Sequence, residues 1–147
     1  MAEFYEDKIG LFPKVQEDIL KPYINMVRSG SDYLFSDYSE EISYSSYSES
    51  EANRILNKCG REEVYDFLYE CFEDTGYPDG YDTVEDMPET EIVYYLYLFM
   101  CSVISYSFGD ITGYDIDDYD PDDEDSLNSK QLSKLLRSYL SEVKKYV

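Results

Sequence analysis

Nearly all the side chains here that could do chemistry are carboxylates. The 147 residues carry 33 Asp and Glu against 12 Lys and Arg, and no His. The densest run, GYDIDDYDPDDEDS from Gly113 to Ser126, holds Asp115, Asp117, Asp118, Asp120, Asp122, Asp123, Glu124 and Asp125 without a single base. Calcium binding is the first chemistry to test. An EF-hand loop needs oxygen ligands at positions 1, 3 and 5, a glycine at 6 and a glutamate at 12. Counted from Asp115, Tyr119 falls at 5, Asp120 at 6 and Ser126 at 12. Counted from Asp118, Asp123 stands at 6 and Ser129 at 12. Both registers fail. Such a cluster attracts divalent cations by charge alone, and that does not make it a metal site.

Catalysis fares no better. Without histidine the commonest general base and metal ligand is missing. The chain has no G-x-S-x-G, P-loop, dinucleotide fingerprint or C-x-x-C. With 33 acids, some pair always resembles an acid/base couple, so abundance carries no catalytic information. The residues read as a non-enzyme with no cofactor and no metal.

A second constellation is more ordered. Glu63, Asp66, Glu70 and Glu73 are spaced 3, 4 and 3 apart, with Asp74 beside them. On a helix this spacing lines them along one face, about 5–6 Å between neighbours, where like charges disfavour the helix. Tyrosine accompanies the acids, as in Asp32–Tyr33, Tyr65–Asp66, Tyr81–Asp82 and Asp118–Tyr119–Asp120. Tyr offers rigid contact area with a polar tip and is enriched at interface hot spots. Tyr94, Tyr95 and Tyr97 sit in an apolar run and read as core. Tyr114 and Tyr119 lie among acids, so they read as partner contacts.

Charge is segregated along the chain. Residues 1–61 hold 11 acids and 7 bases, and residues 130–147 hold one acid, Glu142, and five bases. Residues 62–129 hold 21 acids and no base, which equals the whole net charge of −21. Ordinary surfaces intersperse both signs. A block of one sign repels itself, so such a block implies a use for it.

The elements that must position these groups are helical. Val15, Ile19, Leu20, Tyr23, Ile24 and Val27 follow helical spacing, with Pro22 kinking or splitting the helix. Ser48-x-x-Glu51 reads as a capping box for a helix that turns Ala52, Ile55 and Leu56 inward and stops at Gly60. Val64, Phe67, Leu68, Cys71 and Phe72 make an apolar stripe ending near Gly76. Pro88 suits the first turn of an apolar helix over about 88–107. A last helix from about Ser129 places Leu132, Leu135, Leu136, Tyr139, Leu140 and Val143 on one face. Residues 31–50 read as a loop, a short hairpin or a partly disordered segment.

The 17 uncharged residues from Ile92 to Phe108 reach the lower edge of a membrane span. They contain four Tyr and three Ser, and Glu91 and Asp110 flank them. No Lys or Arg anchors or orients them, which favours a buried central helix over a membrane segment. Three cysteines without a C-x-x-C fit a reduced interior with buried thiols. The opening residues carry no secretory pattern. The expected architecture is mainly α: a single domain over 1–147, with about five helices around the apolar helix at about 88–107 and an acidic loop at about 109–126.

In charge distribution, small size and lack of a catalytic signature, the chain resembles the DNA-mimic inhibitors of phages and mobile elements, the anti-restriction and anti-CRISPR proteins. The likeness is one of class, covers the middle of the chain, and transfers no functional residue. It implies an inhibitor, working in the cytoplasm of the host cell if phage-encoded, that fills the cationic nucleic-acid cleft of a defence nuclease without binding nucleic acid or membrane itself. The expected contact residues are Glu63, Asp66, Glu70, Glu73, Asp74, Asp115, Asp117, Asp118, Tyr119, Asp120, Asp122, Asp123, Glu124 and Asp125. Two other uses fit the same charge: an immunity protein neutralising a basic nuclease toxin, and an acidic divalent-cation-binding structural protein.

Overall fold

A computed structural model describes residues 10–30, 34–43, 47–78, 80–120, 122–123, 125 and 127–145, with the side chains of 43 and 117 left out. The fold is mainly α. Among the described residues, six α-helices and two short 3₁₀ turns form, in the order α1 Pro13–Arg28, α2 Phe35–Ser43, α3 Glu49–Cys59, α4 Arg61–Thr75, α5 Glu89–Thr112 and α6 Ser129–Lys144. The 3₁₀ turns are Val84–Asp86, before α5, and Ile116–Asp118, after it. No strand occurs among the described residues. The chain packs as two compact units, Ser43–Phe99 and the combination of Met1–Ile42 with Met100–Val147.

In the discontinuous unit, α1 and α6 lie against each other. The periodic residues of α1 become its buried stripe, Val15, Ile19, Leu20, Tyr23, Ile24 and Val27. Pro22 falls on the exposed side and the helix runs through it unbroken. From α6, Leu132, Leu136, Tyr139, Leu140 and Val143 are buried, whereas Leu135 is half-buried. Each fully buried aliphatic side chain contributes roughly 1.5–3 kcal/mol over leaving it exposed. A polar link crosses this core: the Tyr139 hydroxyl donates to Gln16 Oε1, and Gln16 Nε2 donates to the Leu11 carbonyl at 2.8 Å. Phe108 packs edge-on against the Tyr139 ring, centroids 5.9 Å apart.

Residues 35–43 form a helix, which none of the alternatives for 31–50 included; 31–33 and 44–46 lie outside the described residues. Phe35 and Tyr38, one turn apart, are buried, and both rings meet Tyr23, at 5.4 and 5.1 Å. The Tyr38 hydroxyl donates to the Ile19 carbonyl at 2.6 Å. Tertiary burial of two aromatics, not intrinsic propensity, holds this short Ser-rich helix.

In the continuous unit, the capping box at Ser48 and Glu51 forms as its sequence suggests, with Glu51 N–H donating to Ser48 Oγ at 3.2 Å. Ala52 and Leu56 are buried and Ile55 is half-buried. Gly60, at φ 93°, ends α3 and begins α4 in a single residue, a backbone angle that favours glycine. The α4 stripe, Val64, Phe67, Leu68, Cys71 and Phe72, is buried. Phe67 meets Phe99 edge-on at 6.5 Å, and Phe72 meets Tyr95 and Phe99 at 5.3 and 5.6 Å.

The apolar helix α5 starts where Pro88 suggests: the Pro88 carbonyl accepts from the Glu91 and Ile92 amides, both at 3.0 Å. It runs past residue 107 to Thr112, so the acidic loop begins at 113, not 109. Thr112 Oγ1 donates to the Phe108 carbonyl at 2.7 Å and accepts from Tyr114 N–H, and Gly113 takes φ 74° to close the helix. By length and composition α5 could cross a membrane, and 61% of its most apolar 18-residue window is buried within the protein. None of the three cysteines forms a disulfide, and Cys71 and Cys101 are buried but Cys59 is only half-buried, unlike the expected set of buried thiols.

Candidate functional site

Each unit carries its own group of acidic side chains. In the continuous unit, burial of the α4 stripe turns the opposite face to solvent. Glu63, Asp66, Glu70, Glu73 and Asp74 are all exposed. The carboxylates of Glu62 and Glu63 sit in the first turn, where the positive end of the helix favours them. Glu73 and Asp74 sit in the last turn, where the helix terminus opposes them and no basic residue compensates.

In the discontinuous unit, the loop after α5 is more organised than its composition suggests. Ile116 and Tyr119 are buried, at 1% and 4% exposure, and the 3₁₀ turn between them sets them on one side. Tyr119 is therefore an anchor and not the partner contact its acidic neighbours implied: three residues after Ile116, its ring buries with it. Tyr114 is half-buried. With the two anchors inward, Asp115, Asp118, Asp120, Asp122, Asp123 and Asp125 are exposed. Two local bonds shape the backbone between them: Asp122 N–H donates to Asp120 Oδ1, and Asp125 N–H to Asp123 Oδ1, both at 3.0 Å. These are Asx turns, in which a short carboxylate satisfies an amide two residues on. Glu124 and the side chain of Asp117 lie outside the described residues.

Two features escape sequence reasoning. Arg61, the last base before the acidic segment, is held by three neighbours in the continuous unit. Its Nη1 lies 3.2 Å from Glu89 Oε1, its Nε donates to Asn57 Oδ1 at 3.0 Å, and its Nη2 donates to Asn53 Oδ1. The hydrogen bond from the guanidinium to Glu89 is the main cause that raises its proton affinity further. Second, a run of partly exposed tyrosines gathers beside the acids: Tyr69 donates to Glu85 Oε1 at 3.2 Å, and Tyr77 packs against Tyr69 and Phe72 at 6.5 and 4.9 Å. Only the Asp–Tyr adjacency in the sequence hinted at this grouping.

Among the described residues, no three His, Cys, Asp or Glu side chains converge to hold a metal ion. An open cleft at the starts of α3 and α5 is lined by Glu49, Ser50, Asn53, Pro88, Glu89 and Thr90. Two carboxylates, two hydroxyls and one amide make up its polar lining. Comparison with known protein families, curated proteins and solved structures found no match.

Proposed function

We propose that this protein is a non-enzymatic inhibitor that imitates the charge of nucleic acid and occupies the cationic cleft of a nuclease, in the manner of anti-CRISPR and anti-restriction proteins. One observation supports the reading above the others: within the base-free segment 62–129, the described carboxylates of α4 and of the loop after α5 are exposed opposite buried apolar anchors. Ordered rows of negative charge are what a DNA-binding cleft recognises, since phosphate neutralisation by Lys and Arg supplies most of its non-specific affinity. Such rows speed encounter with a cationic partner and compete with nucleic acid at the same surface. The protein acts in the cytoplasm of the cell that contains the nuclease, and its partner is a protein, with no nucleic acid or membrane bound directly.

Charge reversal tests this directly. Asp118→Lys, Asp122→Lys and Asp123→Lys together alter the loop without touching its anchors Ile116 and Tyr119. Inhibition of the nuclease should fall by an order of magnitude or more at ~0.15 M salt, where screening reaches about 8 Å. Undiminished inhibition by this variant, and by the matching reversal of Asp66 and Glu73, would remove both acidic rows as the contact surface.

A further inference from the structure

Four partly exposed tyrosines of the continuous unit, Tyr69, Tyr77, Tyr94 and Tyr95, form one connected patch. Tyr69 and Tyr77 meet at 6.5 Å, Tyr77 and Tyr95 both pack on the buried Phe72 ring, at 4.9 and 5.3 Å, and Tyr94 lies against Tyr95 at 4.8 Å. Carboxylates border the rings. Glu85 Oε1 accepts from the Tyr69 hydroxyl at 3.2 Å, and the Glu91 carboxylate lies near the Tyr81 hydroxyl. Phe72 beneath is 2% exposed and fixes the ring positions. Desolvation first raises the proton affinity of the Tyr69, Tyr81 and Tyr95 phenols, followed by Glu85 at Tyr69, Glu91 at Tyr81 and Tyr94 then Glu91 at Tyr95.

We infer that Tyr69, Tyr77, Tyr81 and Tyr95, with Glu85 and Glu91, form a docking surface for arginine side chains of a cationic protein partner. A guanidinium is planar, stacks on aromatic faces and binds carboxylates with paired donors, whereas an ammonium is a compact, strongly hydrated charge. Rings bordered by carboxylates offer both contacts at once. Charge complementarity fixes the occupant: residues 62–99 contain no Lys or Arg of their own to cover these rings, and Arg61 is engaged by Glu89, Asn53 and Asn57. The inference rests on the reading of a cationic partner and adds that the partner contributes arginine here.

The test uses the full chain and two peptides of equal charge, nona-arginine and nona-lysine, with dissociation constants measured by calorimetry at ~0.15 M salt. Each exposed cation–ring contact strengthens binding by about two- to fivefold, so nona-arginine should bind at least about fivefold more tightly than nona-lysine. Tyr69→Leu with Tyr95→Leu should bring the ratio close to one. Asp118→Asn, Asp122→Asn and Asp123→Asn should weaken both peptides together and leave the ratio intact. Because the tyrosine variant can lose its fold, the unaltered protein gives a second measurement: NMR contacts between arginine Hδ protons and tyrosine ring protons are expected. Equal, salt-sensitive binding of both peptides, or absent ring contacts, overturns the arginine surface and leaves the charge-mimic reading standing. Binding of neither peptide overturns both.

Discussion

Replacing Glu73 and Asp74 by Gln and Asn should make the isolated protein more stable while weakening its hold on a cationic partner. Both carboxylates are exposed in the last turn of α4, which has no basic residue. Each opposes the negative end of the helix, an effect of about 0.3–1 kcal/mol per charge. Glu70 lies three residues before Glu73 and four before Asp74, and each like-charge pair at that spacing costs about 0.2–0.5 kcal/mol. Two terminus effects and two pairs, taken towards the low end because solvent screens them, amount to about 1–2 kcal/mol. For a chain of this size that is roughly 2–8 °C in Tm. Thermal unfolding followed by circular dichroism at ~0.02 M and ~0.5 M salt measures it. The gain should be present at low salt and shrink at high salt, while affinity for nona-lysine drops. A variant that melts lower than the parent, or whose gain ignores salt, would refute the view that α4 sacrifices stability to hold charge at this position. The combination matters, because a surface that is costly to the folded chain and useful only to a partner is the trade-off expected of a binding site.

Other perturbations probe the scaffold. Tyr139→Phe removes the donor to Gln16 Oε1 in the α1–α6 core, and loss of this buried hydrogen bond should cost about 0.5–1.5 kcal/mol in urea unfolding, with little change in helix content. Burial pushes the Cys101 thiol from its ordinary value near 9 up to about 12. The folded state therefore keeps this proton longer than the unfolded chain does. Its stabilising effect is complete below pH ~9 and is lost as pH rises towards about 12. Buried Tyr139, raised in the same direction, adds to the loss at the alkaline end. Urea midpoints across that window should fall with pH, and less steeply in Cys101→Ala. Asn128→Ala removes the side chain that accepts from Gln131 N–H at 2.8 Å at the start of α6, and should cost about 0.5–2 kcal/mol, read by the same unfolding assay.

Much of the helical architecture was legible in local pattern. The Ser48–Glu51 box, the glycine stops at Gly60 and Gly76 and the apolar stripes of α1, α4 and α6 each follow from a few residues of sequence. What escaped depends on contacts distant in the chain. The Ser-rich α2 is helical because Phe35 and Tyr38 find Tyr23, and nothing within 31–50 announces that partner. Asn128 and Gln131 form a capping box of Asn–Gln type at the start of α6, a signal that Ser-and-Glu patterns overlook. In the acidic loop, charge density overshadowed the Ile116–Tyr119 pair, so Tyr119 was read as outward when its spacing from Ile116 carries it inward. The exposure of Glu63, Asp66, Glu70, Glu73 and Asp74 followed directly from the buried stripe opposite. The clustering of Tyr69, Tyr77, Tyr81 and Tyr95 did not, because it joins α4, the segment after it and α5.

The central claim is exclusion of nucleic acid, and one measurement addresses it. The protein is immobilised and exposed to extract from cells carrying a defence nuclease. The captured nuclease is then offered a labelled DNA duplex over a range of concentrations. Charge mimicry predicts that DNA displaces the inhibitor competitively, that no complex containing both survives, and that the apparent Kd of the protein pair rises steeply between ~0.05 and ~0.2 M salt. A stable three-way complex in which the nuclease holds its DNA with undiminished affinity would contradict the account.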